Sequence, residues 1–264
     1  MYVLTESQRQ QASDLLWDCW AHGRRIEQLP QELRPTDRAE AYAIQARLEA
    51  HSFAPLAGWK IGATGPGGQQ LLNIDAPLAG RLLAERVHRD GAVISLGNSL
   101  MSVIEVEVAF RMRKSLPPRT APYSQDEVID AVGSVYPAIE LPDTRYDNFK
   151  QVGAAQLIAD NTCADQFVLG APASIDWRSL DLAALQTFGR ISGGEQRDGS
   201  GAQVLGDPRI ALTWLANELS QHGLTLAEGQ IVASGSTIVP LSVRAGQRIL
   251  ADLGPLGTVT IELT

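Results

Sequence analysis

The chemistry in this sequence is concentrated in its glutamates. The run Val103-Ile104-Glu105-Val106-Glu107-Val108-Ala109-Phe110 alternates, and in a β-strand residues two apart share a face. Glu105 and Glu107 therefore project together, with Ile104, Val106, Val108 and Phe110 forming the opposite, apolar face. One reading is a half-buried strand with both glutamates in water. Against it, the same face carries Val103 and Ala109, and adjacent like charges are costly unless a cation neutralises them. A third acid, Glu140, sits in Pro137-Ala138-Ile139-Glu140-Leu141-Pro142, an apolar strand where an unpaired charge would be expensive. Either an arginine, such as Arg145, or a shared cation would satisfy it. Three convergent carboxylates form a hard, all-oxygen site suited to Mg²⁺ or Mn²⁺ rather than zinc or copper. Such a set leaves coordination positions for water or a chelating 2-oxo acid, and the metal would stabilise charge on the carbonyl oxygen as an enolate develops.

Other sources of reactivity are missing. There is no GxSxG elbow, no HExxH and no Walker A pattern, and the four histidines are isolated. The Gly-rich stretch from Gly58 to Gly68 does not match a dinucleotide fingerprint. It reads as a mobile loop, or as a lid or substrate-contacting loop whose chemical group is Lys60.

The elements that must position these groups follow from pattern and capping. Thr5 and Gln8 form a capping box ahead of Ala12, Leu15, Leu16, Cys19 and Trp20, with Gly23 past the end. After a polar link, Thr36 is placed to cap a second helix, so residues 1–55 read as a helical extension before a catalytic unit at 56–264. Only two further helices stand out, one entered through Ser124 and Glu127 and one through Asp207-Pro208. Strands are expected at 103–112, 135–141, 167–169, 247–253 and 258–263, the last two as a hairpin. Strands do not alternate regularly with long helices, which disfavours a doubly wound parallel sheet and favours a mixed-sheet α+β fold.

Composition narrows the class. The 264 residues carry 22 Lys and Arg against 30 Asp and Glu, a net charge of −8, which argues against a nucleic-acid surface. Two distant cysteines make no disulfide framework and fit a reducing cytoplasm. The start of the chain lacks signal-peptide character, and no apolar run approaches the ~20 residues of a membrane span. Helix faces bearing Trp17, Trp20 and Trp214 could bury against the core or a second subunit.

Four segments now occur together in order: Gly58-Trp59-Lys60-Ile61-Gly62, Glu105-x-Glu107, Pro137-Ala138-Ile139-Glu140 and Ala159-Asp160-Asn161. Through them, from about residue 5 to the C-terminus, the chain resembles the 2-keto-4-pentenoate hydratase and 4-oxalocrotonate decarboxylase branch of the fumarylacetoacetate hydrolase superfamily. The resemblance implies a mixed β-sheet roll around a divalent metal held by Glu105, Glu107 and Glu140. It matches Lys60 to an active-site lysine and Asp160 to an acid supporting that lysine, while Asn161 reads as structural. Residues 68–75 fall at a short lid, and 234–237 at a loop that contacts substrate or is a plain turn. Ile61, Gly62, Gln70, Ser236 and Thr237 are the implied substrate contacts. The lid and residues 141–148 depart from the family pattern, which bears on the substrate tail.

The activity implied is hydration of a 2-hydroxy-2,4-dienoate to a 4-hydroxy-2-oxo acid through a metal-stabilised enolate. Lys60 would transfer a proton, orient water or act as a fixed charge. The alternatives are decarboxylation of a 2-oxo-3-enedioate such as 4-oxalocrotonate, or a non-catalytic subunit complexed with a related hydratase or decarboxylase. Hydrolytic cleavage of an acylpyruvate is disfavoured, because no His-Glu pair near the start of the fold supplies a water base. The family analogy also implies a homo-oligomer.

Overall fold

The computed structural model describes residues 3–264. Helix α1 (Glu6–His22) begins with the expected capping box: Thr5 Oγ1 accepts from the Gln8 N–H at 3.3 Å, and the Gln8 side chain accepts from the Thr5 N–H at 2.9 Å. Gly23 closes it in the left-handed conformation, φ 62°, which glycine adopts without a Cβ penalty. The cap of α2 (Arg38–Gln45) is Asp37 rather than Thr36. Asp37 takes the Glu40 N–H at 2.9 Å, and the buried Glu40 side chain reaches back to accept from the Thr36 N–H and hydroxyl at 3.0 and 3.2 Å.

From there the chain runs through β1 (Gly58–Gly62), α3 (Pro66–Leu72), β2 (Leu78–Leu82), β3 (Val87–Arg89), β4 (Ala92–Ile94), β5 (Val103–Met112), α4 (Gln125–Asp130) and β6 (Val132–Leu141). It continues through α5 (Ala154–Ala159), β7 (Gln166–Leu169), β8 (Gln186–Ile191), β9 (Gln196–Ser200), α6 (Pro208–Gln221), β10 (Ile231–Ser236), β11 (Leu241–Ser242), β12 (Arg248–Asp252) and β13 (Thr258–Leu263). The C-terminal hairpin forms between β12 and β13. Two expectations are corrected: residues 58–68 are a strand followed by a short helix rather than a loop, and 231–236 are a strand. The β8–β9 hairpin has no counterpart among the strands expected from the sequence.

The strands make two sheets and an α+β fold. The larger has eight strands in the order β2-β1-β10-β5-β6-β7-β3, with β11 also on β5, and the smaller has five in the order β4-β13-β12-β8-β9. Most neighbours are antiparallel, while β1–β10, β3–β7 and β4–β13 are parallel. The alternation of β5 decides how the sheets meet. Its apolar face packs on β8, where a Cβ on Gly189 would lie 3.1 Å from Val106 Cγ2 and 3.2 Å from Ile104 Cδ1. The absent side chain thus lets the sheets approach. Glu105 and Glu107 necessarily face the other way.

The N-terminal helices cover part of the rest. Ala12, Leu16, Leu29 and Ile44 form one buried cluster with Tyr146 and Ala159, so α1 and α2 dock onto the region around α5. Two polar bonds hold that docking: the buried Gln45 amide donates to the carbonyls of Ala79 and Ile158 at 2.9 and 2.8 Å.

Candidate metal centre and active-site cavity

The pairing of β5 with β6 brings the three glutamates together. Glu105 lies opposite Glu140 and Glu107 opposite Ala138, and directly opposed residues share a face. One carboxylate oxygen from each of Glu105, Glu107 and Glu140 lies within 4.8 Å of the other two. On its other edge β5 pairs with β10, which slips register between Ala233 and Ser236. That bulge re-aims the strand's backbone: Gly235, at φ 111°, turns its N–H onto Glu107 Oε2 at 2.9 Å.

Lys60 arrives from β1, paired through Ala233 of β10 and thus on the same face. Its Nζ is 3.1 Å from Glu140 Oε1, an ion pair not aligned as a hydrogen bond, and it donates to the Thr162 carbonyl at 3.1 Å. Glu140 pairs with this lysine and not with Arg145. The Thr162 carbonyl is presented by an unusual turn in which Asn161, Thr162 and Cys163 all have left-handed φ, from 53° to 58°. Such backbone is strained for non-glycine residues. It is held by the Asn161 side chain, which accepts from the Arg81 N–H at 2.6 Å and donates to the Arg81 carbonyl at 2.9 Å.

The charges are unbalanced in a way that defines a ligand. Three carboxylates against one ammonium leave a formal excess of two negative charges. Among the described residues, Glu107 Oε1 and both Glu140 oxygens are buried without a hydrogen-bond partner. Orphaned buried carboxylate oxygens are rare because of their desolvation cost, so the donor set fits a hard divalent cation. Burial and the neighbouring Glu140 carboxylate push Glu105 up to about 7, against the opposing pull of Lys60. Glu107 is held well above the carboxylate range by burial, Glu140 and Glu105. Burial alone would depress Lys60, but Glu140, Glu105 and Glu107 outweigh it and raise its pKa above the ordinary lysine value.

The centre opens into a cavity of about 1100 Å³. Lys60, Ile61, Gly62, Glu105 and Ser236 lie on its wall, and α3, which overlaps the first part of the 68–75 segment, lines one side. Three expectations do not hold. Gln70 is off the wall, which Gln69 occupies instead. Thr237 is fully buried, donating to the Val106 carbonyl and accepting from Thr187 Oγ1 at 2.8 and 2.9 Å, and so braces the sheet. Asp160 does not touch Lys60. Its carboxylate is bound by the buried Arg145 guanidinium, by the Arg145 N–H at 3.0 Å and by Thr144 Oγ1 at 2.9 Å. Because Arg145 also donates to the carbonyls of Asp143 and Ala164, Asp160 clamps the 143–145 segment to the turn that follows it. The wall residues Thr162, Cys163, Phe149 and Leu157 went unrecognised in the sequence. Only the Ala159-Asp160-Asn161 motif pointed at their neighbourhood.

Comparison with known proteins now adds to the geometry. No protein-family model matches the chain. It is 32% identical over 230 residues to 2-hydroxyhexa-2,4-dienoate hydratase of Comamonas testosteroni, covering 85% of this chain and 86% of that one. It is 31% identical over 252 residues to 2-keto-4-pentenoate hydratase 2 of Dechloromonas aromatica (strain RCB), covering 94% and 95%. Its structure superposes on 4-oxalocrotonate decarboxylase from Pseudomonas putida G7, solved with magnesium and adipate, with a TM-score of 0.89 over the whole of both chains at 25% identity. Carboxylate triad, buried lysine, mixed sheets and relatives agree: the chain belongs to the 2-keto-4-pentenoate hydratase and 4-oxalocrotonate decarboxylase branch of the fumarylacetoacetate hydrolase superfamily.

Proposed function

We propose that this protein is a divalent-metal-dependent hydro-lyase that converts a 2-hydroxy-2,4-dienoate into a 4-hydroxy-2-oxo acid, with Mg²⁺ or Mn²⁺ as its cofactor. The observation that carries the reading is the set of orphaned oxygens on Glu107 and Glu140, next to a buried lysine at the end of a large cavity. Glu105, Glu107 and Glu140 would hold the metal, which when bound supplies Lewis acidity toward the substrate's 2-oxygen and carboxylate.

The chain's own residues account for positioning and proton movement. Lys60 has three N–H donors; its ammonium contacts Glu140 and the Thr162 carbonyl, and its side chain lines the cavity. From there it binds the substrate head and holds or moves a proton as the 2-hydroxyl gives up its proton to become the 2-oxo group and C5 is protonated. Addition of water then puts hydroxyl on C4 and a proton on C3, so the net change is one water. Ser236 offers a hydroxyl on the wall, although it already donates to the Ile238 carbonyl at 2.8 Å. Gly235 and Gly62 let the backbone pack closely at the head site, since a Cβ on them would fall on Thr64 and Thr162 respectively. Asp160 acts at a distance, as the anchor of Arg145.

The test is the loss of ultraviolet absorbance of freshly generated 2-hydroxypenta-2,4-dienoate, in Mg²⁺ and then in chelator. Fast, metal-dependent loss with 4-hydroxy-2-oxopentanoate as product is expected, and a rate no higher than the uncatalysed one would refute the reading for this substrate. Decarboxylation of a 2-oxo-3-enedioate is the second reading, favoured by the superposition on a decarboxylase and by 28% identity over 230 residues to the Pseudomonas sp. enzyme of that name. Release of CO₂ from 4-oxalocrotonate would establish it. A non-catalytic subunit would bind Mg²⁺ and turn over neither acid. Among the described residues no helix is long and apolar enough to cross a membrane. We place the protein in the cytoplasm as a homo-oligomer, and a monomeric mass in solution would contradict that assembly.

A further inference from the structure

The head of the cavity is charged, but its body is not. Beyond Glu105 and Lys60 the wall includes Leu71 and Leu72 of α3, Phe149, Leu157 of α5, Met101 and Val239. Among the described residues, Lys60 is the only cation on that wall, and it sits at the charged head beside Glu140 and the Thr162 carbonyl. The remaining polar groups, such as Gln69, Gln203 and Thr64, are neutral. The nearby Lys150 is exposed and stands 5.9 Å from the centroid of the Phe149 ring, outside the wall. At about 1100 Å³ the cavity is slightly larger than the usual range of sites for drug-sized ligands, roughly 300–1,000 Å³. A five-carbon acid would leave most of it unfilled.

Resting on the hydratase reading for its head group, we infer that the preferred substrate carries a neutral, apolar tail of several carbons, alkyl or aryl, and that a second carboxylate is selected against. The head is fixed at the glutamates and Lys60, so the tail must run along α3 toward Phe149. A tail carboxylate there would lose its hydration and meet no cation. An apolar tail gains from the same wall, about fourfold in binding for each methylene buried. The half-exposed Leu71 and Val239, 52% and 57% accessible, form a rim that such a tail would cover.

The experiment has a turnover arm and a binding arm, both on the Mg²⁺-loaded protein. Turnover compares 2-hydroxypenta-2,4-dienoate, 2-hydroxydeca-2,4-dienoate and 2-hydroxyhexa-2,4-dienedioate by dienol absorbance. Binding compares the unreactive 2-oxopentanoate, 2-oxodecanoate and 2-oxoadipate by calorimetry. We expect kcat/KM and affinity to rise at least tenfold from the five-carbon to the ten-carbon acid, and the diacid to lie at least tenfold below the ten-carbon acid. Val239→Arg should narrow the gap between diacid and ten-carbon acid at least tenfold, whereas Lys150→Ala should leave the ranking unchanged. A diacid that equals or exceeds the alkyl acid, or a ranking that depends on Lys150, overturns the inference. No turnover of any dienoate combined with the expected binding order would refute the hydratase reading while upholding the tail selection.

Discussion

Glu105 and Glu140 are direct cross-strand partners on β5 and β6. Like charges opposed on one rung destabilise a sheet, and here a third carboxylate, Glu107, lies within 4.8 Å of the pair. Lys60 offsets only part of that charge. The sheet thus carries stored repulsion at the place where a cation would sit, as binding sites commonly do at the expense of stability.

Glu105→Gln separates the two roles of this carboxylate. It should raise the thermal stability of the metal-free protein, by up to about 1 kcal/mol, because one of the opposed charges is gone. It should also abolish the stabilisation seen on adding Mg²⁺ and the metal-dependent activity. Differential scanning fluorimetry with and without chelator reads both effects. A variant that loses stability in chelator would contradict the repulsion argument.

The pH dependence has a defined sign. Glu105 rises from the usual carboxylate value to about 7 and Glu107 is also raised well above its usual value, so between their unfolded and folded values the native state binds more protons than the unfolded one. Their contribution to stability is therefore fully present below about 4.5 and is lost as pH rises through about 7 and beyond. In chelator the melting temperature should fall between pH 5.5 and 8.5 relative to a protein lacking these acids, such as the Glu105→Gln, Glu107→Gln double variant. Mg²⁺ should remove the fall, and its affinity should increase over the same range because the ligands must be deprotonated.

Gly62 is constrained by its neighbour. A Cβ there would lie 2.7 Å from Thr162 Cγ2 and 3.6 Å from Lys60 Nζ. Gly62→Ala should displace Thr162, whose carbonyl anchors Lys60, and lower kcat by about tenfold or more. Adding Thr162→Ser removes the clashing methyl and keeps the hydroxyl that donates to the Ala79 carbonyl at 2.8 Å. Much of the lost kcat should return in the double variant. Failure of this rescue would place the effect of Gly62→Ala elsewhere.

Asp160 and Lys60 should fail differently. Asp160→Asn leaves the buried Arg145 without its counter-charge, a change that costs about 3–5 kcal/mol for buried pairs, so the melting temperature should drop sharply. Lys60→Ala should lower kcat by about 10²-fold or more and also weaken the fold, since Glu140 loses its ion pair. At a temperature where the Asp160→Asn protein is folded, its kcat should stay closer to wild type than that of Lys60→Ala.

The alternation in β5 was readable directly, because a period of two dictates that Glu105 and Glu107 share a face whatever the rest of the chain does. The prolines and apolar neighbours of Glu140 likewise announced a buried acid in need of a partner. Helix α1 and the C-terminal hairpin followed from capping and turn residues that act within a few positions. By contrast, β1 and β10 were hidden. Gly58, Gly62 and Gly235 break the local strand signal, and these glycines exist for contacts made in three dimensions: a Cβ at Gly235 would fall on Thr64, and one at Gly58 on the backbone of Ile231.

Partner choice lay beyond sequence pattern. Arg145, five residues after Glu140, was a natural candidate to neutralise it, yet Arg145 pairs with Asp160 while Glu140 takes Lys60 from eighty positions upstream. Cross-strand register and the left-handed turn at 161–163 decide that exchange. The tail pocket has the same origin, since Leu71, Met101, Phe149 and Val239 come from separate loops and helices. Residue type and spacing specify which way a side chain points within its own element. Which side chains meet depends on how distant elements pack, and local periodicity does not encode that packing.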